Sequence, residues 1–422
     1  MSEKSIKTYL VIWLGQFMSM FGTTMTGYSL GVWLLKQDNS VANYSLVLFA
    51  VLTPSMLFAP IAGVLIDRFN RKAIMIAGHA CAGLCSLGII VLYFCGMLRL
   101  GFIVPLVAIS SVCNGMVNAA FMASTSLLVS KDNLTRASGL MGIARALITI
   151  AAPPFAILLL DVFGLKLILS VDVVSFLFAI ICFSLTSIPQ PQKNIDDKKN
   201  IVADLLFGVR YILKNRSLLH LLLFFMVVVF FVGLANASMP PFVMALSGEK
   251  GVSVVFACAG VGALIGASFL ATVKGIKNHV LFIIAAAIIF GAGLVVVSFS
   301  KGLLLIAIAF FVVAAIQITA IGANQVIWQK KVEPEYQGRV LTTAVLFASI
   351  TLPVALLLAG PVVSYIFKPL SEMLFYGVND NGEFGYISLM FLCNGVILIA
   401  VAIIALFNPF IRNIEANLED KV

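Results

Sequence analysis

The 422 residues are 61% hydrophobic and only 11% charged, with a mean hydropathy of +1.11 and a net charge of +9. Soluble domains carry about 25% charged residues, so this chain lacks the polar material to cover a water-facing surface. In lipid each backbone polar group must pair within the structure, which leaves helices or a closed barrel. Apolar runs of about 20 residues exclude the alternating ten-residue strands of a barrel.

The apolar runs predict an all-α membrane protein of twelve transmembrane helices. In chain order they are 9–35, 42–66, 73–98, 101–129, 137–160, 165–188, 218–246, 251–273, 280–299, 303–329, 340–367 and 384–407. The first is too long for a signal peptide, lacks a small-residue cleavage site and runs straight into further spans. Between the last two, Lys368, Pro369, Glu372, Asp380 and Glu383 predict a polar loop with a short interfacial helix near Leu370–Tyr376. The only long polar stretch, 189–216, divides the chain into an N-terminal six-helix bundle (1–188), a linker (189–216) and a C-terminal six-helix bundle (217–422).

Charge predicts orientation. With an even span count both termini share one side, and 20 of the 27 Lys and Arg residues fall there. The positive-inside rule then puts both termini and the linker in the cytoplasm of a multi-pass plasma or inner membrane protein. The basic excess is therefore a topology signal with a modest attraction to anionic lipid. It forms no stripe with interleaved aromatics, so no nucleic-acid partner is expected. All seven cysteines lie within predicted spans; Cys81 and Cys85 share a helix face, but no His or acid completes a metal set.

The chain repeats itself at an offset of 203 residues. Val129, Asp132 and Arg136 fall on Val332, Glu335 and Arg339, Gly63 falls on Gly266, and Arg71 falls on Lys274. Two matches at one offset, in equivalent loops, argue for duplication of a six-helix unit. Parallel repeats of this kind are a transporter architecture.

At Gly63-Val-Leu-Ile-Asp67-Arg68-Phe-Asn-Arg71-Lys72 the sequence resembles the signature of the major facilitator superfamily between its second and third spans. The first span (Trp13-x-Gly15-Gln16-Phe17-x-Ser19-x-x-Gly22) and Val332-Glu333-Pro334-Glu335-Tyr336-Gln337-Gly338-Arg339-Val340 are similar to its macrolide-efflux and enterobactin-exporter branch. Asn70 stands where that family usually has Gly, Leu270 replaces the acid in the second copy, and the fifth-span motif reads Ala152-Pro153-Pro154-Phe155-Ala156-Ile157, without its glycines. The resemblance implies two pseudo-symmetric bundles around a central cavity, alternating access, and drug:proton antiport by a monomer.

Within this frame Gly63, Asp67, Arg68, Arg71 and Lys72 read as a conformational latch, with Gly63 letting a neighbouring helix approach closely. A charge inside a bilayer is costly and functional by default. Two lie deep inside predicted spans: Arg145, about 12 Å from one end of span 5, and Asp172, about 10 Å from the other end of span 6 at 1.5 Å per residue. Arg145 is the candidate for substrate, and both are candidates for proton coupling, with a structural carboxylate as the plainer role for Asp172. His79 in span 3, and His220 and His279 near span ends, carry weaker signals. Polar residues at helical spacing mark candidate cavity faces: Gln16, Ser19, Thr23 and Gly27 on span 1, Asn114 and Asn118 on span 4, Asn236 before Pro240-Pro241 on span 7, and Gln317 and Asn324 on span 10. Interhelical hydrogen bonding is the alternative for any one of them.

No phosphate-binding loop, metal spacing or nucleophile with a base is legible, so neither an enzyme nor a cofactor is expected. The sequence reading is a gradient-driven exporter of an amphiphilic small molecule (a drug, siderophore or lipid-like metabolite). Uptake of a specific metabolite and a membrane sensor are the alternatives.

Overall fold

The computed structural model describes residues 6–38, 40–129, 134–186, 188, 201–272, 278–333, 335–374, 385–412 and 414–417. Within these stretches the side chains of Asp67, Arg68 and Arg145 lie outside the described set. The described chain is helical: α1 (Ile6–Asp38), α2 (Val41–Arg68), α3 (Arg71–Phe94), α4 (Leu100–Leu128), α5 (Leu134–Leu185), α6 (Ile201–Lys214), α7 (Arg216–Thr272), α8 (His279–Phe299), α9 (Leu303–Lys331) and α10 (Gln337–Pro361). A π-helical turn (Val362–Phe367) leads into α11 (Lys368–Leu374), and α12 (Gly385–Phe407), α13 (Pro409–Arg412) and α14 (Ile414–Asn417) close the chain. The short helix expected near Leu370–Tyr376 is α11, and 375–384 lie outside the described residues.

Among the described residues nine helices are long and apolar enough to cross a membrane, where twelve spans were expected. Two of the nine contain a break: α5 at Gly164 (φ 71°, ψ 177°) and α7 at Gly248 (φ 66°, ψ −167°). That region of backbone space is essentially closed to residues with a Cβ. Contacts along α1 show what the break in α5 does. Tyr9 Oη donates to Ala137 O, Trp13 Nε1 to Leu140 O and Ser29 Oγ to Ala156 O, so the first arm of α5 runs parallel to α1. Gly15 packs on Ala179 and Cys182 and Gly22 on Asp172 and Ser175, so the second arm runs back. Gly164 is thus a hairpin turn between two spans. The amphipathic composition of α1 (Gln16, Ser19, Thr23, Thr24, Thr26) keeps it out of the nine, although its 33 residues are long enough.

The chain divides into two compact units, residues 1–197 and 198–422. Each has its own buried cluster, one around Tyr9, Ile12, Met75, Phe121 and Phe183, the other around Leu218, Ile283, Ile327, Trp328 and Ile414. Side chains at the ends fix where helices begin: Ser40 accepts from Asn43 N, Asn70 from Ala73 N and Asn278 from Leu281 N. Asn70, which departs from the family pattern, therefore has a local reason: it caps α3. In the second unit α6 lies on α10, with the Arg339 guanidinium 5.5 Å over the Phe207 ring and Tyr336 against Phe207 and Tyr211. Burial and the nearby Glu333 push the Tyr211 phenol up from its ordinary value.

The internal repeat extends to packing. Val129 ends α4 and Val332 ends α9, both extended, and the next helices begin at Leu134 and Gln337, each pair 203 residues apart. In the first unit α2 lies parallel to α4, with Ser111 Oγ donating to Val51 O (2.6 Å) and accepting from Ser55 N (3.3 Å). In the second, the second arm of α7 lies parallel to α9, where a Cβ built on Gly262 or Gly266 would sit 2.2 Å from the carbonyl of Phe311 or Ala315. The sequence match fails in one loop. Arg71 opens α3 but His279 opens α8, which is 208 residues on, so Lys274 is not its counterpart; Lys274 itself lies outside the described residues.

Candidate transport site

The sequence-predicted site residues divide into three groups. The first is the 63–72 turn, and here the expectations need correction. Among the described residues a Cβ built on Gly63 meets nothing within 4 Å, so no close approach is seen at this glycine; its repeat counterpart Gly266 makes one. Arg71 is buried and donates from Nη1 to Ala123 O at 2.6 Å, near the last turn of α4. Lys72 donates from Nζ to Ser184 O (2.9 Å) and Thr186 O (2.8 Å) at the end of the second arm of α5. The last carbonyls of a helix have no intrahelical partner and carry its negative pole. Both cations are therefore staples inside the first unit. The side chains of Asp67 and Arg68 lie outside the described residues.

The second group is polar and enclosed. The α1 stripe turns into the first unit: Gln16 and Ser19 are buried, and Ser19 Oγ lies 3.3 Å from His79 Nδ1. His79 is fully buried and stacks on Phe183 at 5.1 Å. Among the described residues both polar atoms of Gln16 and the Nε2 of His79 have no hydrogen-bond partner. One turn along α1 from Ser19, Thr23 Oγ1 donates to Asp172 Oδ1 (3.4 Å), and Ser86 Oγ of α3 donates to Oδ2 (2.7 Å). Thr26 lies beside the same carboxylate without completing a hydrogen bond. Asp172 is 1% exposed and forms the wall of a pocket lined by residues of α1, α2, α3, α4 and α5. Its described partners are hydroxyls. The side chain of Arg145, the other intramembrane charge, lies outside the described residues.

The third group is polar and partly open. Asn114 donates to Ser110 O (2.9 Å) and Ser110 Oγ (3.2 Å), while its carbonyl has no partner. Among the described residues the carbonyls of Asn118 on α4 and Asn324 on α9 likewise have no partner. Gln317 is half-buried, and Asn236 is exposed on the first arm of α7, four residues before Pro240.

Sequence reasoning missed an aromatic ladder on the first unit. Trp13 stacks on Phe17 (5.6 Å), Phe17 meets Phe21 (6.1 Å), and Phe21 meets Phe155 of α5 edge-on (6.3 Å). None of the four is buried, and Phe155 is 54% exposed. The i, i+4 spacing of positions 13, 17 and 21 was the available signal. It was masked by an apolar background in which aromatics are frequent.

The relatives of the chain agree with this architecture. It is 25% identical to Macrolide efflux protein A of Streptococcus pyogenes over 418 residues, covering 96% of each chain. It is 26% identical to the protein of that name from Enterococcus faecalis over 314 residues, or 72% of this chain and 95% of the other. Among solved structures, a bacterial homologue of the human lysosomal transporter Spinster superposes with a TM-score of 0.69 at 14% identity, covering 96% of both chains. The nucleoside transporter NupG gives 0.71 at 13% identity, covering 94% of this chain and 99% of that one. A family model described as Major Facilitator Superfamily matches residues 12–356. With most of its length under that match, and with a multi-pass helical fold shared with transporters, the chain belongs to the Major Facilitator Superfamily.

Proposed function

We propose that the protein is a secondary exporter of amphiphilic small molecules of the macrolide type, working by alternating access and driven by an ion gradient, with protons the first candidate. The observation that carries the substrate class is the open aromatic ladder Trp13, Phe17, Phe21 and Phe155. Stacked, partly exposed rings offer apolar area at small entropic cost and tolerate varied ligands. The half-open amides of Asn114, Asn118, Gln317 and Asn324, with Asn236, supply hydrogen-bonding groups that fix orientation without demanding a charge. Arg145, on the same helix as Phe155, is the group for an anionic or polar head. The names of the curated relatives favour macrolide efflux. Both termini are assigned to the cytoplasm by the basic bias of the chain. Asp67 and Arg68 remain the latch candidates, since Arg71 and Lys72 are engaged with helix ends inside the first unit.

The test is accumulation of a panel of macrolides, dyes and siderophores in cells lacking their own exporters, with and without this chain and a protonophore. Lower accumulation of amphiphiles, restored by the protonophore, is expected. Equal accumulation for the whole panel, or uptake in place of export, rejects the reading.

A further inference from the structure

The pocket around Asp172 lies within the first unit, and its chemistry is one-sided. It is lined by Asp172 and the hydroxyl-bearing residues Thr23, Thr26, Ser86, Ser110 and Ser111, with apolar residues of α1 to α4 completing the wall. Thr26, a lining residue, is 5% exposed, and its buried hydroxyl oxygen has no hydrogen-bond partner among the described residues. Gly22 lets α1 come this close: a Cβ there would stand 3.1 Å from Asp172 Oδ1. Among the described residues no Lys, Arg or His lines the pocket. Of the titratable groups on the packed helices, His79 sits two turns along α3 from Ser86, on Ser19, and Cys85 and Cys113 do not reach the lining. Tyr28 on α1 and Tyr44 on α2 do not line it either, and Asp161 and Lys166 are exposed near the Gly164 turn.

A bare carboxylate at membrane depth is costly, and hydroxyl hydrogen bonds offset only part of that cost. An oxygen-only shell with a single negative charge matches a small hard cation, because each hydroxyl can turn a lone pair inward when its donor bond is released. We propose that this pocket binds the coupling cation of transport, a proton or Na⁺, on Asp172 with Ser86, Thr23 and Thr26 as its oxygen partners. The word coupling rests on the exporter reading; the binding site does not. Such a site lies among the helices of the first unit, and Asn114, which donates to the pocket-lining Ser110, is the half-open amide that borders it.

The experiment uses the full chain purified in detergent, and reads its thermal unfolding midpoint without substrate. Starting at about pH 8.5 in choline chloride, where a free carboxyl is ionised, one series adds NaCl and a second lowers the pH to about 5.5. A cation that binds the folded state raises the midpoint saturably. A rise with NaCl identifies Na⁺, and a rise with acid alone identifies the proton. In either case Asp172→Asn is expected to abolish the shift, and Ser86→Ala or Thr26→Val to weaken the apparent affinity several-fold. No shift in either series, or a full shift in Asp172→Asn, overturns the site. If Asp172→Asn does not fold, unaltered affinity in both hydroxyl variants overturns it instead. A loss of stability in Asp172→Asn that is cancelled by Arg145→Gln would mark a structural ion pair and also overturn it. A chain that exports no amphiphile but keeps the Asp172-dependent shift removes only the exporter reading.

Discussion

The ring of His279 and the carboxylate of Glu415 stand 2.8 Å apart between Nδ1 and Oε1, although 136 residues separate them in the chain. The same oxygen accepts the backbone N–H of His279 at 3.0 Å, and Lys331 Nζ donates to the Glu415 carbonyl at 2.8 Å. An acid here meets the positive pole of α8. Two isoleucines, Ile411 and Ile414, bury themselves beside it, so the last helices dock onto the end of the second unit.

That docking predicts two graded losses. Ile414→Ala should cost about 2–4 kcal/mol, because Ile414 is fully buried. Glu415→Ala should cost about 1 kcal/mol, since the pair is partly exposed. Thermal midpoints of purified protein, with protease cutting after residue 408 as a local readout, check both. Equal stability of parent and Ile414→Ala would mean the tail is not held.

Gly63 and Gly266 occupy equivalent places in the repeat and should respond oppositely to one methyl group. Gly266→Ala drives a Cβ into the carbonyl of Ala315 and should cost about 1–3 kcal/mol or more, by overpacking against a backbone that cannot rotate away. Gly63→Ala meets open space and should leave stability within about 0.5 kcal/mol of the parent. The yield of monodisperse protein and the thermal midpoint measure the difference.

Gly164 and Gly248 present the complementary case. Nothing lies within 4 Å of a Cβ at either position, yet both carry positive φ. Gly164→Ala and Gly248→Ala should each lose about 1–3 kcal/mol through backbone strain alone. Gly164→Asn should lose as much, because ψ 177° lies outside the left-handed helical well that Asn tolerates.

Lys72→Met should lower stability by about 0.5–1.5 kcal/mol through loss of two carbonyl partners, while Lys72→Arg retains most of it. Arg71→Ala should cost more, about 1.5–3 kcal/mol, because the guanidinium is buried and its loss leaves the Ala123 carbonyl without a charged donor. A purely topological role for these cations would leave the folded protein's midpoint unchanged in all three variants.

The membrane class, the duplication and the α4–α5 and α9–α10 loops were legible because they depend on local composition and on equal spacing, as Val129 and Val332 show. The direction of the α1 stripe was not. Gln16, Ser19 and Thr23 share a face in any helix, but whether that face meets His79 and Asp172 depends on helices 60 to 149 residues away. The described partners of Arg71 and Lys72 were not legible either, because they are backbone carbonyls, which carry no residue-type signal. Arg71 and Lys274 fell out of register because α8 opens five residues later than the 203-residue offset gives, as the caps Asn70 and Asn278 reveal.

The contact of α7 with α9 has a mechanical consequence. At Gly262 and Gly266, one turn apart, backbone touches backbone, with no side chain between the helices to repack. The second arm of α7 and α9 must therefore move as one strut, carrying Gln317 and Asn324 with them. In the first unit the equivalent pair, α2 and α4, also closes on a glycine, Gly115 against Ser55, but there a side chain stands in the contact and the Ser111 hydroxyl bridges the helices beside it. The two copies of the repeat thus lock the same pair of helices by different means, backbone on backbone in one and through serines in the other.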